Sequence, residues 1–360
     1  MKNKSVLFVL EYILIVITIL VYVGINVIKV DPFFHYHKPD VGKYYYRLNN
    51  QRSQNDGIIK FFDYDAIMVG SSMTENFSTT EIDSLFGVKS VKTPFSGGRY
   101  KEINTAVETG LMHNTELKTV FRCLDLNMFA WDKDEKRNDL GEYPTYLYDA
   151  NIFNDVKYIF NRDVVFNRTY PMIVAEKNGE PSGIDDFDSY STWEGDLRYG
   201  MSAVSPKGIE WDRDSIPEQD VLTEEDKQTI LGNIRQNVTS LPKKNPDVKF
   251  YYFFSPYSAV WWNKLIMSGK FYYQIEAEKI VIEELLDCDN VKLFSFNNDT
   301  DITTNMDNYK DTLHYGEWIN SQMLEYMNEG KYQITKDNYI SYLEEEKDFY
   351  LKFDYSQLNE

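Results

Sequence analysis

Residues Val6 to Ile28 read VLFVLEYILIVITILVYVGINVI, an apolar run of 23 residues broken by one charge, Glu11. As a helix rising about 1.5 Å per residue, a run of this length crosses about 30 Å of hydrocarbon. A cleaved signal peptide has a shorter apolar core and a small-residue cleavage site, and the stretch from Tyr22 to Asn26 is a poor one. The run therefore reads as an uncleaved anchor within residues 1–30. Lys2 and Lys4 precede it and Lys29 follows, a slight positive-inside bias that puts the N-terminus in the cytoplasm and the rest of the chain outside the cell membrane. Glu11 lies near the inner face, where a carboxylate snorkels to the interface; contact with another membrane protein is the alternative.

The remaining chain is acidic, because the 360 residues carry a net charge of -19 and the anchor region is itself basic. With no run of Lys or Arg, the composition argues against nucleic-acid binding, which needs clustered cations to release counterions. Two cysteines, Cys123 and Cys288, exclude a disulfide-framed mini-domain and a cysteine-based zinc cluster, leaving at most one disulfide. The four histidines offer little for a metal centre. His35 and His37 follow the anchor among Pro32, Phe33, Phe34 and Tyr36, where interfacial packing is the simpler reading. His113 ends a helical stretch, a position that suits a cation.

Beyond residue 31, short apolar runs alternate with helical patterns. Runs 65–69, 88–91, 119–124, 248–254 and 291–296 predict strands; 81–86, 100–112, 224–240 and 275–286 predict helices. This is the α/β pattern of a parallel sheet covered by helices, which binds ligands at the carboxyl ends of its strands. The division expected is an anchor over 1–30, a juxtamembrane linker over 31–60, an α/β domain over 61–334, and a C-terminal tail over 335–360. The domain is interrupted at about 130–220 by an aperiodic excursion rich in Asp, Asn, Tyr and Gly, of the kind that forms lids or substrate walls. The tail reads as a solvated helix packed on the body, with no chemistry.

Two short segments carry candidate chemistry. Gly70-Ser71-Ser72 follows the first strand, a strand-to-helix turn whose free backbone N–H groups suit a nucleophile. Ser72-Met73-Thr74-Glu75 also fits a capping box, which would make Ser72 a helix cap. Asp311-Thr312-Leu313-His314 precedes the last body helix, and its spacing lets the carboxylate reach the imidazole and fix its tautomer. His314 is then a candidate general base, against the plainer reading of a surface histidine beside an acid.

In order and spacing these segments resemble the SGNH hydrolase family, also called GDSL-type esterases, over about residues 60–330. The resemblance implies a flavodoxin-like three-layer α/β/α sheet behind the N-terminal transmembrane helix. It carries the nucleophile to Ser72, with Ser71 standing where the family has Asp, and the base and its acid to His314 and Asp311. The family's oxyanion-hole glycine falls at Gly97, in Thr93-Pro94-Phe95-Ser96-Gly97-Gly98. Its third block, G-x-N-D, aligns only through Asn127 in Leu124-Asp125-Leu126-Asn127-Met128, leaving open whether Asn127 or Asp125 faces the pocket. A carboxylate there opposes an oxyanion unless it is protonated or bound to a cation.

The G-S-S form and single anchor resemble the branch containing DltD, the teichoic-acid D-alanylation protein, and the alginate O-acetylation proteins. That branch implies an esterase or O-acyltransferase acting on a cell-envelope glycan or polyol polymer. It also implies a multipass membrane O-acyltransferase as partner, and no metal or organic cofactor. A non-catalytic envelope scaffold or glycan-binding protein with the same fold is the alternative. Ser255 to Ser258 end the fourth strand on the same rim; Trp261 and Trp262 beyond them are either core or a surface for sugar rings. Cys123 reads as a buried inert thiol and Cys288 as one lacking a basic activator.

Overall fold

The computed structural model describes residues 2–139, 143–193, 195, 197–209 and 211–359. The chain divides into two compact units, one of Met1–Phe62 with Gly141–Asp186, the other of Asp63–Leu140 with Phe187–Glu360. Residues 31–60 thus belong to a packed unit, and the 130–220 excursion is shared between the two.

In the first unit, helix α1 (Lys2–Val30) is long and apolar enough to cross a membrane. Its side chains are exposed from Lys4 to Tyr22, and from Val23 onward it packs into the unit. Val27 joins Phe33, Leu147, Tyr158, Val164 and Val165 in a small core. The turn after α1 is held by the buried Asp31 carboxylate, which accepts the backbone N–H groups of His35, Tyr36 and His37 and the hydroxyl of Tyr158. Helix α2 (Gln51–Phe61) follows, capped by the Asn50 side chain. Two-residue strands Tyr45–Tyr46 and Gly183–Ile184 pair in parallel.

The second unit is mixed α/β around a six-stranded sheet: β1 (Ala66–Gly70), β2 (Ser90–Pro94), β3 (Thr119–Cys123), β4 (Lys249–Phe254), β5 (Val291–Ser295) and β6 (Gln333–Ile334). The order is β2-β1-β3-β4-β5-β6, parallel except for β6, which is antiparallel to β5. All residues of β1, β2 and β3 are buried, as expected of strands covered on both faces. The 2-1-3-4-5 order reverses direction at β1, and ligands bind outside the carboxyl ends at such a reversal.

Helix α3 (Thr79–Phe86) starts on the Ser78 side-chain cap and ends at Gly87 in the left-handed conformation. The longer ones that follow are α4 (Tyr100–His113), α5 (Glu224–Asn237), α6 (Ala259–Met267), α7 (Phe271–Leu286), α8 (Glu317–Glu329) and α9 (Tyr339–Lys352). Helix α3 packs on α8, while α5 packs on α4 and α7. The predicted helix over 224–240 stops at Asn237 and a short helix restarts at Ser240. The physical reason is Pro242, which has no N–H to return to Val238. Both cysteines are free and buried.

The tail is a helix packed on the body, and part of it is buried rather than solvated. Helix α9 buries Glu346 beside the buried Glu278 of α7, with the Tyr342 hydroxyl 2.9 Å from Glu278 Oε1 and 3.0 Å from Glu346 Oε1. Burial pushes the Glu278 carboxyl up to about 7 and that of Glu346 well above its ordinary range. The pair therefore retains a proton near neutrality. Trp262 is fully buried and stacks on Tyr350 of α9, so it is core, while Trp261 packs edge-on against Tyr257.

Candidate active site

Strand β1 ends at Gly70, where an added Cβ would lie 2.6 Å from Thr74 Cγ2 and 2.9 Å from Cys123 Cβ. Only glycine lets the chain turn so tightly there. The next residues form one 3₁₀ turn, Ser72–Thr74, and its cap is Ser71, whose hydroxyl accepts from the Met73 N–H at 3.3 Å. The capping box read at Ser72 does not form. Its hydroxyl instead lies 2.8 Å from His314 Nε2. As the first residue of the turn, Ser72 has a backbone N–H without an intrahelical partner.

His314 sits in a closed loop. Tyr309 and Tyr315 form an antiparallel bridge, and the Lys310 N–H donates to the His314 carbonyl at 3.0 Å. The segment after β4 anchors that loop: Ser258 Oγ donates to the Thr312 carbonyl at 2.8 Å, and the Tyr309 hydroxyl to the Pro256 carbonyl at 2.8 Å. Tyr315 donates to Ser255 Oγ at 3.0 Å. Within the loop, Asp311 Oδ1 accepts the N–H groups of Leu313 and His314, and Oδ2 lies 2.7 Å from His314 Nδ1.

Burial would raise the Asp311 carboxyl, but the ring and backbone N–H of His314 and the Leu313 N–H outweigh it and hold it at about 2. At neutral pH Asp311 is thus a carboxylate that can only accept. The proton on the neutral imidazole must sit on Nδ1, leaving Nε2 as acceptor for the Ser72 hydroxyl. Such a chain of bonds can take the proton of a serine as it attacks a carbonyl.

Gly97 lies in the turn after β2 with a positive φ of 58°, and a Cβ there would overlap the Arg137 guanidinium. Arg137 donates to the Ser96 carbonyl at 2.6 Å, roofing the turn. Asn127 is exposed on the short turn Leu126–Met128. Asp125 is buried, with the Tyr257 hydroxyl donating to its Oδ1 at 3.1 Å. Burial raises the Asp125 carboxyl against the opposing Ser71 and Tyr257 hydroxyls and the positive charge of Arg122.

Two residues beside the imidazole lay outside the sequence reading. Trp193 meets the His314 ring edge to face, with centroids 5.1 Å apart. It is pinned to the turn below, its indole N–H donating to Glu75 Oε2 at 2.5 Å and its backbone N–H to Asn76 Oδ1 at 3.0 Å. Lys310 Nζ lies 3.5 Å from the centre of the Trp193 ring, and burial lowers its pKa against Asp311 and Glu75. Lys310 adjoins the D-x-x-H segment and could have been flagged by position. Trp193 lies in the aperiodic excursion, where no local pattern singles it out.

No family model matches the chain, and no curated protein does. Among solved structures, one from Streptococcus pneumonia, provisionally described as a platelet activating factor, is similar with a TM-score of 0.38 and 9% identity. The alignment covers 78% of this chain and 90% of that one. So slight a likeness carries no argument about this protein.

Proposed function

We propose that the protein is a membrane-anchored, extracytoplasmic serine esterase or O-acyltransferase of the SGNH type, acting on cell-envelope glycopolymers through an acyl-enzyme at Ser72. The observation that carries the proposal is the 2.8 Å approach of Ser72 Oγ to His314 Nε2, with Asp311 Oδ2 2.7 Å behind the ring. The sheet order supports the flavodoxin-like three-layer fold. With right-handed crossovers, the helix of a leftward connection and those of rightward ones fall on opposite faces. The packing of α3 with α8, apart from α4, α5 and α7, agrees with that division.

In the reaction, Ser72 Oγ attacks the ester carbonyl carbon while His314 Nε2 takes the hydroxyl proton and Asp311 faces the imidazolium. The carbonyl oxygen becomes an oxyanion, met by the backbone N–H groups of Ser72 and Gly97. Collapse breaks the bond to the leaving alcohol, which takes the proton from His314 and leaves acyl-Ser72. Water, or a sugar or polyol hydroxyl, then gives its proton to His314 and attacks the acyl carbon, and as the bond to Ser72 Oγ breaks His314 returns that proton to the serine. Asn127 is assigned a third oxyanion contact by the family resemblance alone. The reaction uses no cofactor or metal.

Helix α1 supports a single-pass anchor. The acceptor polymer and a multipass O-acyltransferase as acyl donor follow from the resemblance. The test is turnover of acetyl and aminoacyl esters, with and without a polyol acceptor, by the wild-type chain and by Ser72→Ala and His314→Ala. Loss of turnover in both variants with folding intact is expected, and acceptor-dependent release marks transfer. Turnover retained in either variant overturns the mechanism, and an inert wild type leaves the non-catalytic scaffold.

A further inference from the structure

We infer that the segment from Ile152 to Phe160 docks into the lipid surface of the leaflet where α1 leaves the membrane. The inference rests on the reading of α1 as an anchor and is independent of the chemistry at Ser72.

The apolar part of α1 that is exposed at every position runs from Val6 to Tyr22, 17 residues. That is about 25 Å of helix, short of the roughly 30 Å hydrocarbon core. Placing Glu11 at the inner boundary shortens it further. The apolar layer must therefore reach outward past Val23, to the level where the first unit packs on the helix. At Gly24 the nearest packed atom is Ile159 Cγ2, 3.4 Å from where a Cβ would be. Whatever surrounds Ile159 lies at the lipid boundary.

The segment that carries Ile159 exposes apolar side chains: Ile152 at 73%, Phe153 at 85%, Val156 at 55% and Phe160 at 43%. The loop that carries Ile152 and Phe153 ties several of its polar groups to one another. Asp149 accepts the Asn151 N–H and the Asn154 side chain, and Asn151 accepts the Phe153 N–H. Each such pairing lowers the cost of bringing the loop against an apolar layer.

The segment is also fixed to the helix exit. Asp155 is bonded to His35 Nε2 at 3.2 Å and to the Tyr36 hydroxyl at 3.0 Å, and Tyr158 to Asp31 at 2.7 Å. Between 149 and 170, Asp149, Asp155 and Asp163 balance Lys157, Arg162 and Arg168 in a chain of net charge -19. The attraction is thus hydrophobic, and zwitterionic lipid suffices.

The test places a nitroxide on the full chain in phosphatidylcholine nanodiscs, at Phe153→Cys and Val156→Cys, with Leu14→Cys and Glu180→Cys as lipid and water references. Cys123 and Cys288, both buried, are left in place. Collision with oxygen is compared with collision with a water-soluble nickel chelate. Expected are oxygen-to-nickel ratios at 153 and 156 that approach that of 14 and exceed that of 180. Ratios matching 180 while 14 stays in lipid overturn the docking and leave the anchor standing. Shielding from both reagents overturns it in favour of a protein cover, and a water-like ratio at 14 overturns anchor and docking together.

Discussion

Replacing Asp311 by Asn removes one charge and almost no volume, and the loop geometry decides the effect on the imidazole. Asp311 Oδ1 accepts two backbone N–H groups, at 2.8 and 2.9 Å, while Oδ2 faces His314 Nδ1 at 2.7 Å. An amide that keeps both backbone bonds must turn its NH₂ toward Nδ1, which then accepts and moves the ring proton to Nε2. The opposite rotamer forfeits two hydrogen bonds worth about 1 kcal/mol each, so it is disfavoured by about 2 kcal/mol, or roughly thirtyfold. That factor is the loss from the wrong tautomer alone. Losing the carboxylate that faces the imidazolium adds to it, and Asp311→Asn is expected to lower kcat by on the order of 10⁴. The assay is p-nitrophenyl acetate hydrolysis together with the rate of fluorophosphonate labelling at Ser72, on protein with unchanged thermal unfolding. A loss of less than roughly thirtyfold in an intact fold would refute the assignment of Asp311 as the group that sets the tautomer.

Gly70→Ala should destabilise the second unit by about 1 to 3 kcal/mol, because the new methyl meets Thr74 and Cys123 below van der Waals distance. Denaturant midpoints measure it, and an unchanged midpoint contradicts the tight turn. The Glu278 and Glu346 pair gives a pH signature. Unfolded, both carboxyls ionise near their ordinary value of 4.5, but folded they hold the proton to about 7 at Glu278 and well above the ordinary value at Glu346. Across that window the folded form binds more protons, so the pair's stabilisation is complete below 4.5 and declines as pH rises. Glu346→Gln should flatten the fall in Tm between about pH 5 and pH 7; parallel Tm curves for variant and wild type would contradict a shared buried proton.

Features with a local cause were legible before any fold was known. An apolar run long enough to span a bilayer is a property of 23 consecutive residues and needs no tertiary context. The five parallel strands were legible because each is a short apolar run covered on both faces, and the contact of Asp311 with His314 because three residues on a turn meet. The tertiary structure decided the rest. Ser71 and Ser72 are the same residue type in adjacent positions, and only the direction of the turn makes one the cap and sends the other toward His314. Trp193 reaches the imidazole from an excursion with no period, tied there by Glu75 and Asn76. No local pattern marks Glu278 or Glu346 as buried, and they share a site because α9 folds back over α7. Periodicity records which face of an element is buried. It does not record which distant element buries it, and convergence of side chains depends on strand order and loop path, which no local pattern encodes.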